Sequence, residues 1–467
     1  MTDRYKRLLT NTLTFAIGTF GSKLLVYLLV PLYTYVLSEG EYGIADLIQQ
    51  TSNLLHPLVA LGITNAVIRF GLDKNVRKSD VFTSGLLCVM IGSAALLLLS
   101  PLLLLIDALR SYAVLLAVFA IVSTMRTLCA QFVRAQGRVR LYAVDGILST
   151  ATLLSLTILF LTVFRWGIFG YIFAIVCSDV LSVLFLALTG KLWKFVSFKT
   201  LQRSVLKDML RFSVPLIPNT LLWWITNVSD RYFILYMMGE AYNGPYAVAY
   251  KIPALIVLVS GVFMNAWQIS AVTEQKQREQ FYSRVANAYV SVLLIGASLI
   301  LLFDRFLIGL WVSDAYFVAW QYVPLLTVAA VFTCLVDFLG SIYMVEKKSM
   351  HSLATAAVSA GVNLILNALL IPIWGVNGAA FATAVCYFVV FVLRMWDTRR
   401  YVRIEWAHGT MWASVLLIAV QTVLLLWQVP YGMLWQGILC LVLLALNVKG
   451  LLGTVQRVLH RRHRDAE

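Results

Sequence analysis

Acidic residues are scarce in this chain. It has 22 Asp and Glu against 37 Lys and Arg in 467 residues, and charged residues of both signs amount to only 13%. Soluble globular proteins are about a quarter charged and about half apolar. Here 61% of the residues are hydrophobic and the mean hydropathy is +0.84. Such an apolar excess cannot be enclosed in a soluble core, so the bilayer is predicted to be the solvent for much of the surface.

The sequence also lacks the motifs of common catalytic and metal sites. Its six cysteines form no CxxC pair and fall in apolar stretches, so we predict no disulfide and no metal site. The five histidines show no HExxH spacing, and there is no nucleophile elbow or P-loop. We therefore predict no catalytic residue, no cofactor and no enzymatic activity. The first apolar segment is too long for a signal peptide, so we expect it to be retained.

Long apolar segments recur along the whole chain. A hydrocarbon core needs about 20 apolar residues in a helix, which predicts an all-α polytopic membrane protein with fourteen transmembrane helices. Turn-forming residues separate the segments. The predicted spans are 12–37, 44–68, 81–104, 112–133, 142–164, 168–190, 213–238, 245–272, 282–303, 320–344, 351–371, 376–396, 409–427 and 431–449.

Lys and Arg are distributed unevenly over the predicted loops. Thirty of the 37 lie in the termini and in alternate loops, whereas the loops on the other side hold only Arg110, Arg165 and Arg305. Cytoplasmic loops carry the excess of Lys and Arg, so both termini and the segment 191–211 are predicted to be cytoplasmic. The net charge of +15 is then a topology signal facing anionic lipids, and no nucleic-acid partner is expected.

The chain contains an internal repeat. Residues 166–170 fall on 374–378 when the chain is shifted by 208, and Trp-Gly occurs at the start of both segments. Spans 1–6 therefore resemble spans 7–12, with the same orientation in the membrane and a substrate path predicted between the halves. The predicted division is an N-lobe at 1–190, a basic cytoplasmic linker at 191–212, a C-lobe at 213–396, and two further spans with a basic tail at 397–467.

Several segments resemble a known family. They are 363–367 followed by 371–383, the opening 10–33, and 41–46. These residues are similar to the Wzx-type oligosaccharide flippases of the multidrug/oligosaccharidyl-lipid/polysaccharide (MOP) exporter superfamily. The resemblance implies two lobes around a central, often cationic cavity with alternating access. It also implies a bacterial inner-membrane location and an undecaprenyl-pyrophosphate-linked oligosaccharide, moved from the cytoplasmic to the outer leaflet for surface polysaccharide assembly.

Polar residues in two predicted spans form stripes on single helix faces. Such groups are costly in lipid and usually face protein or a water-filled cavity. We predict that Gln49, Asn53 and Asn227 line the substrate cavity between spans 1, 2, 7 and 8, and that Pro57 bends the second span. The alternative is that these groups form hydrogen bonds between neighbouring helices. The stripes are Asp46, Gln49, Gln50, Asn53 and His56 in the second span, and Asn219, Trp223, Thr226, Asn227 and Asp230 in the seventh.

Four cations lie inside predicted spans, away from the span ends: Lys23, Arg126, Arg231 and Lys251. A charge at the centre of a span costs about 2.5–3.5 kcal/mol on insertion scales. A pyrophosphate that leaves water needs cationic partners, so we predict that these cations line the cavity and bind it. Lys251 could instead snorkel to the interface. Arg231 and Asp230 point about 100° apart on a helix and need not be partners.

Intramembrane acids are candidates for coupling transport to H⁺ or Na⁺. A buried carboxylate can titrate as its surroundings change, which makes Asp179, Asp337, Asp46 and Asp230 candidate coupling residues, with His56 as a further proton site. In the alternative interpretation the acids neutralise the intramembrane cations. A histidine hydrogen-bonded by a neighbouring helix is the corresponding alternative for His56.

Other functions fit parts of this pattern. A lipid II-type flippase and a drug or cation antiporter would share the fold, although an antiporter favours an acid-lined cavity. A membrane polysaccharide polymerase or ligase is a weaker alternative, because the longest predicted outer loop, 304–319, is short and has no convergent acid and base groups. A membrane scaffold would not explain the polar stripes.

Overall fold

The computed structural model describes residues 27–273 and 278–464, with side chains up to residue 448 apart from 269, 272 and 273. These residues form eighteen α-helices and no β-strand, which confirms the all-α class. The chain divides into two compact units, Met1–Trp224 and Ile225–Glu467. The boundary falls inside one helix, Ile217–Met238. The predicted lobe and linker boundaries stay predictions.

The described helices have the composition of a multi-span membrane protein. Nine of them are long and apolar enough to cross a membrane, or eleven spans in all if each of two bent helix pairs counts as one. The predicted span 12–37 begins outside the described residues, Ile217–Met238 is not among the nine, and Gly432–Val448 is shorter. The count of fourteen therefore stays a prediction.

The first unit packs around large side chains of its central helix, α6, including Phe132, which is fully buried and meets the rings of Phe82 and Phe195. Its helices are α1 (Leu29–Val36), α2 (Glu39–Val59), α3 (Ile63–Leu72), α4 (Lys78–Leu99), α5 (Asp107–Arg110), α6 (Ala113–Ala135), α7 (Val139–Ile158), α8 (Gly167–Gly190) and α9 (Arg203–Ser213), with α10 (Ile217–Met238) crossing the boundary.

The predicted second span is a broken helix. A capping box starts α2, since Ser38 Oγ accepts from the Glu41 amide at 3.3 Å and Glu41 Oε2 accepts from the Ser38 amide at 2.9 Å. Pro57 lies in the last turn, and Gly62 then adopts φ +65°. Helices α2 and α3 consequently meet at a bend of 55°. The bend predicted from Pro57 is thus present, and Gly62 supplies its backbone geometry.

The basic segment 191–212 packs on the first unit. Met209 of α9 is fully buried, and α9 contacts α3 and α4. Thr83 Oγ1 donates to the Phe195 carbonyl at 3.0 Å, and Arg77 Nη2 donates to the Thr200 carbonyl at 2.8 Å. Ser213 Oγ donates to the Leu61 carbonyl at 3.0 Å, so the end of α9 is attached to the bend between α2 and α3.

The second unit has α14 at its centre, where most side chains are buried. Trp267 stacks on Phe338 of α14 at a ring distance of 4.8 Å, and Tyr289 packs on the same ring at 5.5 Å. The remaining helices are α11 (Glu240–Ala249), α12 (Ala254–Thr273), α13 (Arg278–Trp311), α14 (Val323–Val345), α15 (Ser349–Trp374), α16 (Val376–Asp397), α17 (His408–Leu426) and α18 (Gly432–Arg464).

Gly92 allows α4 to cross α2 at very close range. A Cβ at this position would lie 1.9 Å from the Val59 carbonyl oxygen. We expect Gly92→Ala to lower the free energy of unfolding by about 2–3 kcal/mol, because the backbone of α2 must move. Gly146→Ala is the matched control, since nothing lies within 4 Å of its Cβ. Thermal unfolding of both purified variants in detergent measures the difference, and equal midpoints would contradict the close-packing argument.

Candidate functional site

The polar stripe of α2 is divided between internal and exposed side chains. Asp46 is 2% exposed, and its Oδ1 accepts a 3.4 Å hydrogen bond from Gln50 Nε2. Gln49 Oε1 accepts from the Tyr171 hydroxyl of α8 at 2.8 Å. Asn53 is exposed, although its Nδ2 donates to Gln50 Oε1 at 3.2 Å. Asn53 is thus the member of the stripe most open to a ligand.

His56 lies near the end of α2 and is partly buried. Its Nε2 is 3.2 Å from Ser52 Oγ on the same helix, and its ring meets Phe119 of α6 edge to face at 6.5 Å. The hydrogen bond lies within α2, and the contact with a neighbouring helix is the ring packing on Phe119. Its role as a proton site stays a prediction.

Arg126 forms an ion-pair cluster with helices α7 and α8. Its Nη1 lies 2.8 Å from Asp179 Oδ1, and its Nη2 lies 4.0 Å from Asp145 Oδ2. Its Nε donates to Ser182 Oγ at 3.1 Å, while that hydroxyl donates to Asp145 Oδ1 at 2.5 Å. Ser123 Oγ donates to Asp179 Oδ2. With both acids ionised, the cluster carries one net negative charge.

The side chains of this cluster differ in the fraction that is exposed. The side chain of Arg126 is 30% exposed, whereas those of Asp179 and Asp145 are only 5% and 3% exposed. The carboxylates are therefore the buried part of the cluster, and Arg126 is the member that an anion can approach. Arg126 and Asp179 are among the site residues predicted from the sequence. Asp145 is not, because its neighbours cannot be identified from spacing along the chain.

Asp230 and Arg231 form the core of a polar cluster in the second unit. Asp230 is fully buried and Arg231 is 5% exposed. Asp230 Oδ2 accepts from the hydroxyls of Tyr246 at 2.6 Å and Tyr250 at 2.9 Å. Arg231 Nη1 is 3.4 Å from Asp230 Oδ1, and the guanidinium lies 4.5 Å from the Tyr250 ring. Asp230 and Arg231 are therefore ion-pair partners, although they are adjacent in sequence.

The other predicted site residues of the second unit have different surroundings. Asn227 is exposed and accepts from the Tyr387 hydroxyl at 2.6 Å. Lys251 is partly exposed at the 45° bend between α11 and α12. Asp337 is exposed on α14, where the adjoining residues are almost all buried. An exposed polar group within a span faces water or protein more readily than lipid. Lys23 lies outside the described residues.

Arg394 is a buried cation that sequence reasoning did not single out. It is 3% exposed near the end of α16. Its Nη1 donates to the Val336 carbonyl at 2.9 Å and its Nη2 to Thr355 Oγ1 at 2.8 Å. Its guanidinium also lies 5.5 Å from the Tyr343 ring. Gly340 leaves room for this guanidinium, since a Cβ at position 340 would lie 2.6 Å from Arg394 Nη1. A glycine inside a predicted span is the one signal in the sequence that points to this close contact.

A buried amide ladder joins α10, α15 and α16. Ser229 Oγ donates to Asn363 Oδ1 at 2.7 Å, and Asn367 Nδ2 donates to the same oxygen at 3.0 Å. Asn363 Nδ2 donates to Thr383 Oγ1 at 3.3 Å. The two asparagines belong to a segment that carried the family resemblance, and here they bind helices of the second unit to one another.

Comparison with known proteins identifies the family. A family model described as polysaccharide biosynthesis protein matches residues 8–268, more than half of the chain. The chain belongs to this family. A curated relative, "Probable low-salt glycan biosynthesis flippase Agl15" of Haloferax volcanii, is 24% identical over 200 residues, which cover 40% of this chain and 41% of the relative. The chain thus matches about two-fifths of the length of that relative.

Solved structures share the fold of this polysaccharide biosynthesis protein. "Lipid II flippase MurJ, inward closed conformation" has a TM-score of 0.68 at 13% identity and covers 96% of this chain and 99% of that chain. An outward-facing multidrug resistance MATE family transporter of the MOP superfamily has a TM-score of 0.61 at 16% identity, with coverage of 84% and 95%. At these identities the likeness establishes the fold alone.

Proposed function

We propose that this protein is a flippase that moves a polyprenyl-pyrophosphate-linked oligosaccharide from the cytoplasmic to the outer leaflet of a cell membrane by alternating access. The observation that carries the proposal is the match of a polysaccharide biosynthesis family over residues 8–268. A flippase named for glycan biosynthesis among its relatives and a lipid II flippase among its structural neighbours support the same substrate class. The proposed location is the bacterial inner membrane.

Arg126 is the proposed anion-binding group of the first unit. It lies within a helix that is long and apolar enough to span the membrane, and 30% of its side chain is exposed. Charge-assisted hydrogen bonds from a guanidinium to phosphate are strong and often bidentate. A pyrophosphate would compete with Asp179 and Asp145 for this guanidinium, so that binding and release of the substrate exchange one ion pair for another. Lys23, Arg231 and Lys251 remain candidates for the same role.

A coupling ion, H⁺ or Na⁺, is proposed to bind at the same cluster. The cluster of Arg126, Asp179 and Asp145 has one more carboxylate than guanidinium, and a buried unpaired carboxylate is costly. Uptake of H⁺ or Na⁺ by this cluster would remove the excess negative charge. Asp337, Asp46 and Asp230 are the other candidate acids, with His56 as a further proton site.

Flipping can be measured directly in proteoliposomes. The purified protein is reconstituted with a polyprenyl-pyrophosphate-linked oligosaccharide, and the sugar that reaches the outer leaflet is counted with a membrane-impermeant lectin. We expect protein-dependent exposure of the sugar, and complementation of a strain that lacks its own flippase. A protein that instead extrudes ethidium and leaves the lipid-linked sugar in place would be a cation antiporter. Release of polymerised or transferred sugar would indicate a polymerase or ligase.

Lys23 provides a charge test of the proposed anion site. We expect Lys23→Ala to lower flipping about tenfold, as for loss of one hydrogen bond to a charged group, and Lys23→Glu to lower it further because it repels the pyrophosphate. Lys74→Glu is the control, since Lys74 is exposed between α3 and α4. Full complementation by Lys23→Glu at normal protein abundance would remove Lys23 from the site.

The proposed topology has its own test. In a cysteine-free background, Ala241→Cys should react with an impermeant maleimide added outside the cell, and Ser204→Cys should not. Both positions are exposed in the structure, so the difference in labelling reports the side of the membrane. This expectation follows from the distribution of Lys and Arg, because thirty of the 37 lie in the termini and loops predicted to be cytoplasmic. Labelling of Ser204→Cys alone would invert the topology and the direction of transport.

A further inference from the structure

A small cavity lies in the first unit at the bend between α2 and α3. Its volume is about 130 Å³, and its wall includes Pro57 and Gly62 on either side of the bend. A water molecule takes about 30 Å³ of the liquid, so the space corresponds to about four waters. That is well below the roughly 300 Å³ at which sites for drug-sized ligands begin. The cavity is therefore of a size for one ring of a ligand, with the rest of an oligosaccharide outside it.

The wall of the cavity is rich in neutral hydrogen-bonding groups. No Asp, Glu, Lys or Arg is among the described residues that line it. A site for phosphate or a metal ion needs charge, whereas hydroxyls and amides suit a ligand with many hydroxyl groups. The polar lining residues are His56, Thr64, Asn65, Thr124, Thr127 and Thr220.

Three of the threonine hydroxyls donate their proton to a backbone carbonyl. Thr124 Oγ1 donates to the Ala120 carbonyl at 2.6 Å, and Thr127 Oγ1 donates to the Ser123 carbonyl at 2.8 Å. Thr220 Oγ1 likewise donates to the carbonyl of Leu216, at 3.2 Å. A hydroxyl has one proton and two lone pairs, so these oxygens offer acceptors to the cavity. Sugar hydroxyls are complementary donors.

Asn65 supplies donors on the same wall. Its side chain is exposed, and its backbone amide donates to the Gly62 carbonyl at 3.3 Å, which fixes the residue at the start of α3. The side-chain amide has two N–H donors and one carbonyl acceptor. A ligand with donors and acceptors on neighbouring atoms can therefore be bound by Asn65 and the threonines together, which is the pattern of vicinal hydroxyls on a sugar ring.

We propose that this cavity is a subsite for the sugar residue next to the pyrophosphate, and that it selects a neutral sugar over a uronic acid. The inference rests on the proposed function and deepens it. Thr127 follows Arg126 on α6, and adjacent side chains on a helix point about 100° apart. A pyrophosphate at Arg126 and its first sugar in the cavity would thus occupy neighbouring sides of one helix.

The position of the subsite links recognition to the broken helix. Thr64 and Asn65 start α3, His56 belongs to the end of α2, and Thr220 belongs to α10. A ring bound among them contacts both sides of the 55° bend. Since a ligand stabilises the conformation that it contacts best, a correct sugar would favour one angle between α2 and α3, whereas a bare pyrophosphate would not.

The test compares two probes on the purified protein. One is farnesyl pyrophosphate and the other is the same lipid bearing one N-acetylglucosamine; the ratio of their dissociation constants is the sugar increment. We expect the wild type to bind the sugar-bearing probe at least about tenfold more tightly, as for two hydrogen bonds of ordinary net strength. Thr127→Val and Asn65→Leu should each reduce the increment about fivefold and leave the affinity for bare farnesyl pyrophosphate unchanged.

Thr189→Val is the matched control, because Thr189 Oγ1 donates to its own helix at Phe185, outside the cavity. It should keep the wild-type increment. Unchanged affinity for the bare probe shows that each variant is folded. The subsite is overturned if the increment survives in both cavity variants, or if the wild type binds bare and sugar-bearing probes alike across glucose, N-acetylglucosamine and rhamnose. Tighter binding of a glucuronic acid probe would overturn the selectivity for neutral sugars. Failure to bind either probe would overturn the proposed function itself.

Discussion

Arg126→Gln is expected to destabilise the protein by about 3–5 kcal/mol and to abolish transport, because it leaves two buried carboxylates without their cation. The side chains of Asp179 and Asp145 are only 5% and 3% exposed, so water cannot replace the guanidinium. Thermal unfolding in detergent gives the loss of stability. Complementation of a flippase-deficient strain, corrected for protein abundance, gives the loss of transport.

A second substitution separates the two roles of this arginine. Arg126→Gln combined with Asp179→Asn returns the cluster to its original net charge, so most of the stability should be recovered. Transport should not recover, because the double variant still has no cation for the pyrophosphate. Arg400→Gln is the control, since its side chain is 60% exposed and exposed ion pairs contribute about 0–1 kcal/mol. Wild-type transport by the double variant would make Arg126 an ion-pair partner and nothing more.

Composition and periodicity predict the helices of this protein well, because lipid imposes the same requirement on every span. Apolar length alone locates several helices to within a few residues of the predicted spans, as at 168–190 and Gly167–Gly190, whereas the predicted span 245–272 is two helices that meet at a bend of 45°. Pro57 likewise indicates a bend in the second span. The angle and position depend in addition on Gly62 and on the Ser213 hydroxyl, which belongs to a segment 151 residues further along the chain than Gly62.

The partners of charged residues were much harder to predict. Spacing along a helix identifies a shared face, but it contains no information on which helix lies opposite that face. Arg126 and Asp179 are 53 residues apart and meet because α6 packs on α8. Arg394 is buried although nothing in the spacing along its helix indicates a partner. The cost of burying its charge is offset by the Val336 carbonyl, Thr355 and the Tyr343 ring, none of which is near it in sequence.

Asp230→Ala is the second substitution with a large expected effect, of about 3–5 kcal/mol in the free energy of unfolding. Asp230 is fully buried, and its removal leaves the Tyr246 and Tyr250 hydroxyls without their acceptor. It also leaves the Arg231 guanidinium, in a side chain that is 6% exposed, without its carboxylate. We expect the variant to accumulate poorly in the membrane. Tyr250→Phe removes one hydroxyl and should cost only about 1 kcal/mol.

The role of Arg231 follows from a partner substitution. If Arg231 serves mainly to neutralise Asp230, the double variant Asp230→Ala with Arg231→Met should regain most of the stability, because an apolar pair replaces a buried ion pair at little cost. If Arg231 also binds the substrate, as the sequence predicts, the stable double variant should remain inactive in the lectin assay. A double variant that is both stable and fully active would remove Arg231 from the substrate site and leave Arg126, Lys23 and Lys251 as the candidate cations for the pyrophosphate.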